Sequence, residues 1–450
     1  MEQKQKDLET FHSLLRDKKY GALRAKAQDM NVSDLAGVME EMEDEDMLKM
    51  FRLLPKELAA DVFSQLENDS QQYIITSLSE HEAGQIIDNL YSDDAADLLE
   101  EMPASVVRKL LANTRPDTRK DVNHLLQYQE NSAGSIMTVE FIDLDENMTV
   151  EQALQRIRQI GMDSETVNIC YVLDSSRKLI GVVALRYLII NDPQKKIRDI
   201  MSDDVVSCRT DEDQEHIAQM FQKYDFTALP VVDKENRMVG IITVDDIMDI
   251  MEQEATEDID KMNAIIPDDR PYLKTGVFAT WKKRIPWMLI LLISAVFSVA
   301  IISHYENRLS HMIVLAAYIP TLMDTGGIAG NQASVEIMRA ISLEEVSWRD
   351  FWKVIWKECR VGILCGLTLA AVMLVKCLIF DQIGLNIAIT VCVTIICAVF
   401  FAKVFGSLLV LLFNKIGLDP ALIASPVLST IMDALSLLMY FGIATAILGF

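Results

Sequence analysis

The sequence predicts a multidomain membrane protein. An all-α superhelical N-terminal domain leads into an α/β pair of repeats, a linking helix and a five-helix α transmembrane domain. Three observations carry this. Charge is split near residue 273: residues 1–273 hold 56 acidic and 29 basic side chains, a net of −27, and residues 274–450 hold 10 and 13, a net of +3. Leu54, Leu66, Leu78, Leu90 and Met102 recur every twelve residues. Five long apolar segments fill the C-terminal part, at about 286–303, 309–340, 361–380, 387–413 and 421–448. At 450 residues, roughly two to four domains are expected.

The helical part is assigned to residues 1–129. LPKELAAD at 54–61 returns as LYSDDAAD at 90–97. Short helices with one start signal per repeat, stacked into a superhelix, give such a period; an ordinary helical bundle is the alternative. The acidic excess excludes nucleic acid as a partner, because that needs a basic face. The seven cysteines form no CxxC pair and mostly lie in apolar runs, so they read as small buried residues of a reducing compartment. MEQKQKDLETF lacks the apolar core of a signal peptide, and the start of the chain is expected in the cytoplasm.

A second repeat occupies 130–255. Each half opens with Met-Thr or Met-Ser (SIMT at 135–138, DIMS at 199–202), followed by a helix and then strand–turn–strand. NICYVLDSSRKLIGVVAL and TALPVVDKENRMVGIITVDDI set β-branched runs around a polar turn, the pattern of a hairpin. This order resembles a tandem pair of CBS domains, a regulatory module, over about 125 residues. The resemblance places Phe226, Thr243 and Asp246 where such modules hold adenosine nucleotides, which implies ATP as a ligand; a structural role for the three is the alternative.

Residues 256–284 are assigned to the linking helix and 285–450 to the transmembrane domain. EQEATEDIDKMNAI carries five carboxylates with a sparse apolar stripe, and Pro267 and Pro271 break it. YLKTGVFATWKKR reads as an amphipathic helix entering the bilayer, with Trp281 and Trp287 at interfacial positions. Each apolar segment is long enough to cross ~30 Å of hydrocarbon. Lys282, Lys283 and Arg284 precede the first span; Arg349, Lys353, Lys357 and Arg360 lie between the second and third, and Lys415 between the fourth and fifth. The positive-inside rule then puts the N-terminal part in the cytoplasm and the C-terminus outside the cell membrane.

Two carboxylates fall near the middle of apolar spans, Asp324 in the second and Asp433 in the fifth. A charge at that depth costs ~2.5–3.5 kcal/mol on insertion scales, and such residues usually mark an ion path. Ser425, Ser429 and Asp433 are spaced i, i+4, i+8, one helix face over about 12 Å of rise. Small-residue packing accounts for the serines but not for the aspartate. Around Asp324, LMDTGGIAGNQ holds Gly326, Gly327, Gly330, Asn331 and Gln332. With Pro320, the glycines are expected to unwind the helix and free carbonyl oxygens, which a bilayer tolerates only beside protein or a wet cavity. Carbonyl, amide and carboxylate oxygens form a hard donor set suited to Mg²⁺ or Ca²⁺.

The acidic helical repeats, tandem CBS domains, linking helix and five spans together resemble the MgtE magnesium channels and transporters over essentially the whole chain. The motifs are MDTGGIAGNQAS at 323–334, DPALIASPVLSTIMDALSLLMYF at 419–441 and VDDIMDIMEQEATEDID at 244–260. The resemblance implies a homodimer whose two-fold axis carries the pore, Mg²⁺ near Asp433, and closure by cytoplasmic Mg²⁺. The sensing carboxylates it points to are Asp94, Asp97, Glu215, Asp225, Asp246, Asp249, Glu254, Glu257 and Asp258. At low Mg²⁺ these groups repel; bridging cations cancel that charge. One position departs from the family: Ile328 stands where an Asn is usual. Either that amide is structural or selectivity differs here, which keeps another divalent cation such as Co²⁺ open. A CBS-regulated anion channel is the other alternative, but it calls for basic or helix-N-terminal sites at mid-membrane. A metalloprotease requires HExxH or an equivalent, and 274–450 has none.

Overall fold

The twelve-residue period has a direct structural cause. The computed structural model describes residues 2–267, 272–273, 275–306, 313–343, 345–422 and 426–449. Its first compact unit is Met1–Met251 and its second Glu252–Phe450. After α1 (Glu2–Arg16) and α2 (Tyr20–Gln28), eight short helices start at residues 32, 44, 56, 68, 80, 92, 104 and 116. They are α3 (Val32–Met39), α4 (Asp44–Phe51), α5 (Lys56–Ser64), α6 (Asn68–Ser77), α7 (Glu80–Ile87), α8 (Ser92–Glu100), α9 (Ala104–Ala112) and α10 (Pro116–Leu125). Helices this short do not persist alone in water. Each packs on the helix two further along, α3 on α5, α4 on α6 and so on to α8 on α10, which makes a solenoid of two stacked rows. The periodic residues Leu54, Leu66, Leu78, Leu90 and Met102 sit just past the helix ends and pack into one continuous core. Caps punctuate the turns: the Asn31 side chain accepts from the Ser33 N–H, and Ser79 and Glu82 form a reciprocal capping box.

The two halves of the next segment fold alike. In the first, β1 (Asp143–Asp145) pairs parallel with β2 (Ile169–Leu173), which pairs antiparallel with β3 (Leu179–Ala184). In the second, β4 (Cys208–Arg209), β5 (Ala228–Val232) and β6 (Met238–Thr243) repeat that order. Helices α11 (Val150–Ile160) and α13 (Gln214–Tyr224) follow the first strands, and α12 (Leu185–Ile190) and α14 (Val244–Met262) follow the last. The hairpin turns use the same chemistry twice. Asp174 Oδ1 accepts from the Ser176 and Lys178 N–H groups, and Asp233 Oδ1 from those of Glu235 and Arg237. Strands β1 and β4 are an addition to the expected strand–turn–strand; at three and two residues they are too short for a sequence pattern.

Among the described residues of the second unit, five helices are long and apolar enough to cross a membrane: α15 (Val277–His304), α16 (Ile313–Ser342), α17 (Phe351–Val375, continued by a wide turn to Phe380), α18 (Leu385–Lys415) and α19 (Pro426–Leu448). The amphipathic stretch and the first span are one helix, α15, with Pro286 inside it. Helices α16, α18 and α19 share a core that includes Leu322, Val399, Met432 and Tyr440. Helix α17 lies close on α18, because a Cβ at Gly362 or Gly366 would meet the Cα of Phe400 or Ile396 at 3.1 or 3.0 Å. All seven cysteines are free thiols.

Candidate ion path and acidic cluster

The glycines of α16 act differently from the sequence expectation. The helix is continuous from Ile313 to Ser342, so Pro320, Gly326, Gly327 and Gly330 do not unwind it. They bring backbones together instead. A Cβ at Gly326 would lie 2.5 Å from Ser436 Oγ on α19, and one at Gly406 of α18 would lie 2.5 Å from the Gly330 carbonyl oxygen. Small residues at helix crossings do this in membranes, where packing drives association. The oxygen donors of the site therefore come from side chains.

Those side chains converge on one cavity of about 480 Å³, lined by Asp324, Asn331, Gly327 and Ile328 of α16 and by Ser429 and Asp433 of α19. Ser429 Oγ lies 3.1 Å and Asp433 Oδ1 4.0 Å from where a Gly327 Cβ would stand, so the absent side chain leaves the two oxygens room. Asn331 Oδ1 is buried with no hydrogen-bond partner among the described residues. A buried amide oxygen normally finds one, so it is available to a ligand or its water. Gln332 is exposed on another face, and Gly326 and Gly330 are buried in helix contacts away from the cavity wall. Ser425 lies outside the described residues. Asp433 lies seven residues past Pro426, the first described residue of α19, about 10 Å along the axis. Sequence reasoning missed Met323, which lines this cavity and a second one that also reaches Ser429 and Asp433.

In the first unit, Asp94, Asp97 and Asp246 come together, joined by Asp93, Glu165 and Asp245, which the sequence did not single out. Burial first, and then the neighbouring carboxylates, push Asp94 up to about 6 and Glu165 up to about 8. The same causes push Asp97 up to about 7, and Asp93 well above the usual carboxylate range. Asp246 is raised to about 6 by burial, although Thr243 Oγ1 donates to its Oδ2 at 2.5 Å and opposes the shift. Glu140 fastens this region, accepting from Ser92 Oγ at 2.7 Å and Thr138 Oγ1 at 2.6 Å. Asp249 lies one turn along α14 from Asp246. Glu215 and Asp225 occupy the opposite ends of α13, Glu215 in its first turn and Asp225 as a left-handed C-cap, so they do not meet in one site.

Of the nucleotide candidates, Thr243 and Asp246 are hydrogen-bonded, and the Val244 N–H donating to the Thr227 carbonyl oxygen brings the segment after Phe226 alongside them. Phe226 stacks on Tyr224, with ring centroids 5.2 Å apart.

In the second unit, Glu254, Glu257 and Asp258 lie on the last turns of α14. Lys261 Nζ donates to Glu257 Oε1 at 2.7 Å and to Asp419 Oδ2 at 2.8 Å, tying that helix end to the segment before α19. Burial, with Asp419 next, raises Asp258. Among the described residues, no three carboxylate, imidazole or thiol groups converge to ligate a bare metal ion. The acidic groups fit Mg²⁺ held through its own water, with one or two carboxylates per ion.

Comparison with known proteins follows the same division. Residues 30–131 match the MgtE intracellular N domain, 133–191 and 197–253 the CBS domain, and 319–443 the MgtE divalent cation transporter family. The magnesium transporter MgtE of Thermus thermophilus is 38% identical over 431 residues, 95% of each chain. That of Bacillus subtilis is 30% identical over 436 residues, 96% of this chain and 95% of its own. The crystal structure of the cytosolic domain of the Mg²⁺ channel MgtE in complex with ATP is 38% identical, with a TM-score of 0.52, covering 54% of this chain and 99% of its own. The soluble part of a magnesium transporter is similar at 29% identity and a TM-score of 0.53, covering 56% and 99%. With its helical solenoid, paired α/β repeats and five apolar helices, the chain belongs to the MgtE family of divalent cation transporters.

Proposed function

We propose that this chain carries Mg²⁺ across the cell membrane along a path built from α16 and α19. The observation that carries the reading is the convergence of Asp324, Asp433, Ser429 and the unpartnered Asn331 Oδ1 on one cavity between apolar helices. Two carboxylates attract a divalent ion, and hydroxyl and amide oxygens accept hydrogen bonds from its water. Mg²⁺ gives up that water reluctantly, so a polar lining with few charges passes it largely hydrated. The relatives named as magnesium transporters support the choice of ion. Ile328, 52% exposed on the cavity wall, favours a second reading in which another divalent ion such as Co²⁺ also passes.

In this proposal the chain works as a homodimer with the path on its axis, the N-terminal part faces the cytoplasm and the C-terminus the outside. Cytoplasmic Mg²⁺ closes the path by neutralising the acidic groups of the first unit and of the end of α14. Their raised proton affinities support this, since groups that crowd and bury like charge gain most from a cation. ATP is proposed at Phe226, Thr243 and Asp246, supported by the related cytosolic domain that has ATP bound.

Purified protein in vesicles, offered Mg²⁺, Ca²⁺ and Co²⁺ in turn, tests the transport reading. Mg²⁺ uptake that exceeds Ca²⁺ uptake and falls as luminal-side Mg²⁺ on the cytoplasmic face rises is the expected result. No uptake of any of the three would overturn it.

A further inference from the structure

We infer that a second cavity, beside Asp433, binds a monovalent organic cation with a hydrocarbon body, a lipophilic ammonium. This cavity, of about 450 Å³, lies among the end of α14, α15, α16 and α19. Its size falls within the usual range for small-molecule sites, roughly 300–1,000 Å³. Leu291, Ala295 and Ser298 reach it from α15 at i, i+4 and i+7, one helix face. Met323 comes from α16, and Thr430 and Asp433 from α19.

The two cavities share Met323, Ser429 and Asp433 but differ in chemistry. The wall that holds Asp324 and Asn331 has two carboxylates, which suits a doubly charged, hydrated ion. Among the described residues Asp433 is the one charged group of the lining, and Leu291, Ala295, Met262 and Met323 supply apolar surface. Water gains little from such walls, whereas hydrocarbon placed on them is favourably removed from water. A single carboxylate at one end, with the hydroxyls of Ser429 and Thr430 beside it, balances one positive charge. A doubly charged ion would leave one charge unmatched in an apolar surround. Because Asp433 serves both cavities, an ammonium held here competes with a divalent ion there, and the two exclude each other by charge.

The binding itself stands apart from the transport reading; only the expected block of uptake rests on it. The probe is benzyltriethylammonium, with tetramethylammonium as a charge without a hydrocarbon body. For the full chain in detergent, saturation-transfer NMR should detect benzyltriethylammonium and lose the signal as Mg²⁺ is added. In vesicles it should block Mg²⁺ uptake at least tenfold more strongly than tetramethylammonium. Ala295→Phe fills the cavity from an exposed position of α15 and should weaken both binding and block at least tenfold, with uninhibited uptake within about twofold of the parent. Leu291→Phe, one turn earlier, is the second filling variant. Equal potency of the two ammonium ions, or binding unaltered by both filling variants, would overturn the inference. Vesicles that take up no Mg²⁺ at all would defeat the transport reading, and the NMR arm would still decide this one.

Discussion

At the scale of single residues, Asp433 is the group on which the transport reading turns. It faces two cavities, with Ser429 Oγ beside it and Asp324 across one of them. Asp433→Asn keeps the volume and the hydrogen-bonding edge but removes the charge. Mg²⁺ uptake should drop at least tenfold, while thermal stability stays level or rises, because a charge inside a membrane helix costs ~2.5–3.5 kcal/mol. Uptake within twofold of the parent would remove Asp433 from the path. That aspartate was legible from sequence because a carboxylate inside an apolar run has few structural explanations. Gly326 and Gly330 were legible only as unusual residues. Glycine serves equally to break a helix and to let two helices touch, and the choice depends on neighbours such as Ser436 and Gly406 that lie far away in sequence. In the sequence Asn331 is one oxygen donor among several; its isolation as a buried oxygen without a partner among the described residues depends on the packing around it.

At the scale of elements, the contact between α16 and α18 can be tested with a matched pair of glycines. Gly406→Ala places a methyl 2.5 Å from the Gly330 carbonyl oxygen, a backbone atom that cannot swing aside. The cost should be about 1–3 kcal/mol, seen as a lower melting temperature in detergent. Gly442→Ala on α19 meets nothing within 4 Å and should be neutral or gain up to about 1 kcal/mol from helix propensity. Equal effects of the two would refute the close-contact account. The end of α14 gives a second test at this scale. Lys261 holds Glu257 and Asp419 together, and Lys261→Met leaves two carboxylates facing each other. Protease cleavage within 252–267 should then quicken severalfold in chelator, and millimolar Mg²⁺ should narrow the difference as a cation takes over the bridging. A variant cleaved at the parental rate would show that the bridge does not hold this helix end. The solenoid was the most legible element, because one helix per twelve residues repeats its core position at Leu54 and its successors. The strands β1 and β4 were not, since their pairing comes from the other strands and leaves no period of its own.

At the scale of the whole molecule, the division into an acidic part and an apolar part was visible in charge alone, but the membership of the acidic cluster was not. Asp93 and Asp97 sit four residues apart on α8, but Glu165 and Asp246 come from tens of residues further along the chain and meet them only through the tertiary fold of the first unit. That meeting makes stability depend on pH in a defined direction. Burial pushes Asp94 and Asp246 up to about 6, Asp97 up to about 7 and Glu165 up to about 8, each above its value in an unfolded chain. Between about pH 4 and pH 8 the folded state therefore holds protons that the unfolded chain has released, so stability is lost as pH rises through that window. The lowered carboxyls Asp7, Asp17, Glu82 and Asp211 act in the opposite sense, but only below their ordinary values near pH 4, outside it. In chelator, the first thermal transition of the full chain should fall from pH 5 to pH 8 by on the order of 5 °C. Millimolar Mg²⁺ should recover most of that loss at pH 8, where the cluster is ionised and can bind it, and little at pH 5, where protons already neutralise it. Protons and Mg²⁺ then act as alternative remedies for the same crowding. A transition that ignores pH, or one that Mg²⁺ raises equally at pH 5 and pH 8, would mean that these carboxylates do not sense the ion.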